Sequence, residues 1–270
     1  MGRESLEIVL PGLTVIAGEG LENSSFRSPG NVHQHPFWEV HFIRAGRSAL
    51  ELEGESRTLK AGELLVIPPD TPHAILPLDE EARRSAFLVA PAEAGRPLFG
   101  ELFSVREMRI LEDDFGGGAR AAEIRREIVS GGLYSERRAR ALCELLVIDL
   151  CRALGGVQRE LGAERSERGT IEDYIHWEYA YREGIRGLAR RLGMSERNAS
   201  RRVRTIYGRS FRELLLEQRM SMARFYLEQG MDVSQVAERL GYAEKSAFCH
   251  AFRRFFGETP GRVARIGQKK

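Results

Sequence analysis

From Val233 onward, apolar positions recur at helical spacing through Val236, Ala237 and Leu240, stop at Gly241, and resume at Phe248, Phe252 and Phe255. The pattern predicts two short helices, with Gly241 supplying the left-handed cap that ends the first. Two short helices about a glycine-containing turn form a helix-turn-helix, a unit whose second helix enters the major groove of DNA. On that second helix Lys245, Ser246, Cys249, His250 and Arg253 fall opposite the phenylalanine stripe. Amphipathicity alone does not distinguish a reading helix from any other surface helix.

An upstream copy changes the weighing. Ile185, Leu188, Ala189 and Leu192 make a short apolar face that ends at Gly193, and Ser195 then stands as N-cap to a second helix. In that helix Ala199, Val203 and Ile206 lie inward, whereas Arg197, Ser200, Arg201 and Arg204 lie outward. Each copy closes on a glycine, Gly208 and Gly257. Between the copies, Phe211, Leu214, Leu215, Met222, Ala223, Tyr226 and Leu227 predict one long amphipathic helix, suited to holding two units at a fixed separation. A repeated supersecondary unit is a stronger signal than either copy alone.

The N-terminal half has a different rhythm. Short runs between about Glu7 and Ala90, such as Val40–Ile43, Ala49–Leu52 and Leu64–Ile67, alternate with glycine and proline, which predicts an all-β sandwich or barrel. Gly116–Gly118 and two helical patterns follow, roughly Ala119–Ser130 and Ser135–Leu154. The polar stretch Arg159–Gly169 reads as a linker. The expected division is therefore an N-terminal domain over 1–158, a linker over 159–169 and an all-α domain over 170–267.

Charge agrees with that division. Residues 171–270 hold 20 Lys and Arg against 12 Asp and Glu, while residues 1–170 hold 21 against 27, so the chain's net charge of +2 conceals a basic end and an acidic end. A basic domain that coincides with the repeat points to double-stranded DNA, since phosphate neutralisation supplies most non-specific affinity. Three cysteines, Cys143, Cys151 and Cys249, make neither a disulfide framework nor a C-x-x-C pair, which fits a reducing cytoplasm. Cys143 and Cys151 fall in an apolar helix as small core residues. No stretch reaches membrane-spanning length, so no membrane partner is expected.

Residues from about Thr170 to Gly267 resemble the DNA-binding domain of AraC/XylS-type transcription regulators, through Ala189 and Gly193, then Arg219 and Ala223, then Ala237, Gly241, Phe248, Phe252, Gly257, Thr259 and Pro260. Ala199 and Arg202 depart from that pattern, standing where larger apolar residues are usual. Cys249 and His250 replace a commoner small-polar and basic pair. By position, Arg197, Ser200, Arg201, Lys245, Ser246, Cys249 and His250 would read bases, and Arg204, Arg209 and Arg253 would hold phosphates.

Two histidine-bearing segments, Asn31–Glu39 and Gly62–His73, look like the halves of the cupin motif, with His33, His35, Glu39 and His73 at its four ligand positions. Alternation along a strand would put residues 33 and 35 on one face. Imidazoles with a carboxylate suit a divalent transition metal. The same histidines could instead hydrogen-bond within a polar barrel mouth, and Phe37 and Trp38 could be core or pocket lining. Asp70 replaces the motif's usual glycine, and Pro77 stands where asparagine is common.

The resemblance implies a mixed two-domain fold: a cupin-like β-barrel with trailing helices, then an all-α domain with two helix-turn-helix units. It implies a DNA-binding transcription regulator whose grip is modulated by a small-molecule effector such as a sugar or small acid. A homodimer and contact with RNA polymerase belong to the same expectation. The trailing helices either pair between subunits or cover their own barrel. A metal-dependent cupin enzyme or metal sensor with an appended DNA-binding domain is the alternative, and a protein-recruiting module without a DNA site is a third reading.

Overall fold

The computed structural model describes residues 5–11, 13–18, 32–52, 55–91, 100–160, 167–181, 183–228 and 231–267. The chain divides into two compact units, Met1–Glu164 and Arg165–Lys270. No helix among the described residues is long and apolar enough to cross a membrane.

The first unit is built on strands β1 (Ser5–Leu10), β2 (Leu13–Gly18), β3 (Trp38–Ala45), β4 (Arg47–Leu52), β5 (Glu55–Lys60), β6 (Glu63–Ile67), β7 (Ala74–Pro77), β8 (Arg83–Pro91) and β9 (Arg109–Glu112). Among the described residues they form a six-stranded sheet, ordered β1-β2-β8-β3-β6-β9, and a three-stranded sheet, ordered β5-β4-β7. Ile43, Leu50, Leu59, Leu65, Ile67 and Ile75 form one buried cluster that joins the two sheets. Strand periodicity sends the alternate residues of β3 the other way. Val40 and Phe42, with Phe87 and Val89 beside them, meet Cys143, Leu146, Val147 and Leu150 of a helix.

That helix is α3 (Ser135–Glu160), which follows α1 (Gly100–Phe103) and α2 (Gly117–Ser130). The α2 helix starts two residues before the expected Ala119. Gly117 and Gly118 are the first turn of a helix laid against β3. A Cβ at Gly117 would collide with Phe42 and Phe115. Asp113 accepts from the backbone N–H groups of Gly117 and Gly118 at 2.6 and 2.7 Å, satisfying donors that a helix start leaves open. Cys143 and Cys151 are buried on α3, and burial pushes both thiols up to about 12.

The second unit contains α4 (Glu167–Tyr181), α5 (Gly184–Arg191), α6 (Glu196–Tyr207), α7 (Phe211–Glu228), α8 (Val233–Arg239), α9 (Lys245–Phe256) and α10 (Pro260–Gly267). Since α3 runs to Glu160 and α4 begins at Glu167, the stretch 159–169 read as linker lies in helices except over 161–166, which falls outside the described residues. Ile171, Tyr174 and Ile175 of α4 share a core with Leu188, Val203, Phe211, Leu214 and Leu215. The long connecting helix is present as α7, with all seven of its predicted inward residues buried.

Candidate nucleic-acid interface and barrel site

The turn between α5 and α6 and the turn between α8 and α9 repeat the same hydrogen bonds. Met194 N–H reaches back to the Ala189 carbonyl at 3.0 Å, and Tyr242 N–H reaches back to the Ala237 carbonyl at 2.9 Å. Gly193 and Gly241 hold φ of 64° and 80°, the left-handed conformation this helix ending requires. Gly208 and Gly257 end the second helices at φ of 67° and 74°. Ser195 caps α6, its hydroxyl accepting from the Asn198 N–H at 3.3 Å. Asp232 and Gln235 form a capping box at the start of α8.

Both second helices bury one face and expose the other. On α6, Ala199 and Val203 are buried, while Arg197, Ser200, Arg201 and Arg204 are exposed. On α9, Phe248 and Phe252 are buried, Lys245, Ser246, His250 and Arg253 are exposed, and Cys249 is half-buried. The expected third member of the phenylalanine stripe is corrected. Phe255 is 41% exposed, and Phe256 takes its place with ring centroids 4.7 Å from Phe252 and the Arg224 guanidinium 4.1 Å above its own ring. An i+4 step from Phe252 meets the core where the i+3 step turns outward.

Arg202, a departure from the family pattern, needs no apolar pocket. Its guanidinium donates from Nε to both oxygens of Glu167 at 2.8 and 2.7 Å, tying α6 to α4. Arg209 stands 2.7 Å from Glu217, so its charge is partly engaged within the protein.

In the first unit, His33, His35, Glu39 and His73 come together with one potential ligand atom from each lying within 4.8 Å of all the others. They do not meet on a regular strand as the alternation argument expected. His33 and His73 form an isolated bridge, exchanging backbone hydrogen bonds of 2.9 Å each way. Asp70 explains the missing glycine of the second segment. It adopts φ of 57°, which aspartate tolerates better than most side chains, and its N–H donates to the His35 carbonyl at 2.8 Å. Phe37 and Trp38 are both fully buried, and Trp38 Nε1 donates to the Val105 carbonyl at 3.3 Å.

Glu39 is the hub. Its Oε2 lies 2.8 Å from His35 Nε2 and 2.9 Å from His73 Nε2, while its Oε1 lies 3.1 Å from His41 Nε2. Burial alone would raise the Glu39 carboxyl, but the charges and hydrogen bonds of His41 and His35 outweigh it and hold Glu39 well below the usual carboxylate range. Burial likewise opposes a charged His73, yet its hydrogen bond to Glu39 and the carboxylate charge raise it. The His73 Nδ1–H donates to the Thr71 carbonyl at 2.8 Å, which turns Nε2 toward the cluster. His41 and Arg84 escaped the motif reading. His41 is buried two residues beyond Glu39 on the same strand face, so the period-2 rule could have found it. Arg84 on β8, opposite Ile43, donates to the Ile75 carbonyl at 2.8 Å and feels the Glu39 charge, and no local spacing announces it.

The four ligand positions fit a single divalent transition ion. Ligands about 2.0–2.2 Å from a metal stand at most about 4.4 Å apart, so the cluster needs to contract by only a few tenths of an ångström. His35 Nδ1 is buried without a hydrogen-bond partner.

Residues 188–266 match the model of a helix-turn-helix domain, and residues 25–83 match that of a cupin domain. The chain thus pairs a cupin domain with a helix-turn-helix domain. The chain is similar to an HTH-type transcriptional regulator of Mycobacterium tuberculosis, 43% identical over 81 residues, which are 30% of this chain and 23% of that one. It is also similar to the NimR regulator of Escherichia coli K12, 40% identical over 76 residues, or 28% of each chain. The match thus spans about a quarter of the length of these relatives. Similarity to the Msm operon regulatory protein of Streptococcus mutans runs through both domains, at 19% identity over 241 residues covering 83% of this chain and 82% of that one. In fold, the cupin and helix-turn-helix domains resemble Vibrio cholerae ToxT bound to (E)-4-(8-methylnaphthalen-1-yl)but-3-enoic acid, with a TM-score of 0.51 at 11% identity, covering 95% of this chain and 99% of ToxT.

Proposed function

We propose that this protein is a sequence-specific, DNA-binding transcription regulator of the cytoplasm, with its grip on DNA modulated by a small molecule in the cupin barrel. The observation that carries the reading is the repeated turn: two helix-turn-helix units in one compact domain, each exposing a polar and basic face on its second helix. Arg197, Ser200 and Arg201 of α6, and Lys245, Ser246, Cys249 and His250 of α9, read base edges. Arg204, Arg209 and Arg253 position the backbone. An effector, a sugar or small acid, acts by binding the DNA-competent and incompetent arrangements with different affinity. Homodimerisation and contact with RNA polymerase complete the reading.

Two substitutions test the assigned roles. Arg201→Ala weakens specific binding by about 1–3 kcal/mol and relaxes preference at one base, whereas Arg204→Ala weakens binding to all duplexes alike. Equal losses on every sequence for both variants would remove the division between reading and positioning.

The Glu39 cluster favours a second reading, in which the barrel's ligand is or includes a divalent transition metal and the protein senses it. His33, His35, Glu39 and His73 would hold the ion, and a bound ion would supply a Lewis-acidic centre for an anionic group. Cobalt(II) titration followed by its visible spectrum is expected to saturate at about one equivalent per chain, and His73→Ala to abolish that spectrum. A spectrum of free cobalt throughout the wild-type titration would leave the cluster as a hydrogen-bonded network. Turnover lost in His73→Ala would instead bring back the metal-dependent enzyme.

A further inference from the structure

The helix-turn-helix domain holds a second grouping of charge, beside the reading face of α6. A groove of about 1100 Å³ opens there, lined by Arg186 of α5, by Ser200, Arg201 and Arg204 of α6, and by Arg212 and Arg219 of α7. Its one acidic lining residue, Glu183, accepts a hydrogen bond from Arg190 at 3.0 Å.

Arginines of the domain differ in their ion-pair partners. Arg168, Arg190, Arg202, Arg209 and Arg224 are each paired with a glutamate, in order Glu172, Glu183, Glu167, Glu217 and Glu258. Among the described residues Arg186, Arg204, Arg212 and Arg219 make no such pair, and Arg219 leaves its Nε buried without a hydrogen-bond partner. Guanidinium groups without an ion-pair partner thus converge on one concave surface, where their fields add and attract a line of negative charge. A guanidinium fork also matches phosphate oxygens two at a time.

The groove shares a wall with the helix that reads bases. A duplex presenting its major groove to Ser200 and Arg201 carries a flanking backbone strand past Arg204 and over the arginines of α5 and α7. We propose that the groove seats one strand of the DNA backbone, with Arg186, Arg212 and Arg219 binding phosphates while α6 lies in the adjoining major groove. The proposal rests on the DNA-binding reading and extends the phosphate contacts to helices on both sides of α6.

The test measures the salt dependence of binding by the full chain, using a selected specific duplex and a random duplex. Arg186→Gln and Arg212→Gln each lower affinity for both duplexes alike, leave base preference unchanged, and flatten the slope of log K against log salt by about 0.9. Arg212→Lys keeps the wild-type slope, since it retains the charge. Slopes equal to wild type for Arg186→Gln and Arg212→Gln, in a protein that still binds its selected duplex, would overturn the proposal and leave the groove to an acidic protein segment. A wild-type chain that prefers no duplex over random DNA would instead fail the DNA-binding reading, and the proposal with it.

Discussion

Gly187 shows how narrowly a single position can be set in the first helix-turn-helix unit. It is buried on α5, and a Cβ there would collide with the Tyr174 hydroxyl and with Glu183. That hydroxyl donates to the Gly184 carbonyl at 2.7 Å, so Tyr174 cannot yield without losing a hydrogen bond. Gly187→Ala gains about 0.8–1.0 kcal/mol of helix propensity but incurs roughly 1–3 kcal/mol of overpacking. The expected net result is a lower midpoint in urea unfolding, and a midpoint at or above wild type would contradict this packing. The glycine's role was not legible beforehand, because its constraint comes from α4, outside the helix-turn-helix pattern. That His33, His35, Glu39 and His73 come together was legible as residue types at motif spacing. His41 was not, because it joins the cluster through a strand face, and neither was Arg84, whose charge acts on Glu39 from a neighbouring strand. Phe255 was misplaced because i+3 and i+4 steps are equivalent in a sequence stripe and differ only once a core exists.

Among elements, α6 carries the clearest local logic. Ser195 caps its first turn, Ala199 and Val203 face the core, and Gly208 ends it in a left-handed conformation. All of this follows from short-range rules, and so it was readable. Ser195→Ala is expected to destabilise the chain by about 1 kcal/mol in equilibrium unfolding. An unchanged midpoint would mean that α6 is held by packing alone. The link from α6 to α4 was the less legible part. Arg202 reaches Glu167 across 35 residues, and Tyr207 donates to Glu172 over the same separation. Such long-range polar pairs leave no periodic trace. They also explain why an arginine stands where an apolar residue was expected: the position faces another helix's carboxylate. The helix boundaries differed for a related reason, since α2 begins on glycines that make a poor helical pattern but permit close approach to β3.

At the scale of the whole molecule, the chain folds as two compact units, Met1–Glu164 and Arg165–Lys270. The basic C-terminal portion folds around two copies of one turn, and arginines of α5, α6 and α7 line the groove beside the first copy. The N-terminal portion folds as a two-sheet barrel that buries a histidine–carboxylate cluster. The most direct measurement is selection of fragments from genomic DNA by the full chain, followed by footprinting of the enriched sites. Two protected major-groove segments on one face of the duplex, centred about one helical turn or ~34 Å apart, are predicted, with Arg201→Ala altering one segment and a His250→Ala variant the other. Enrichment of no sequence over random fragments, or protection of one segment that neither variant changes, would contradict a paired reader.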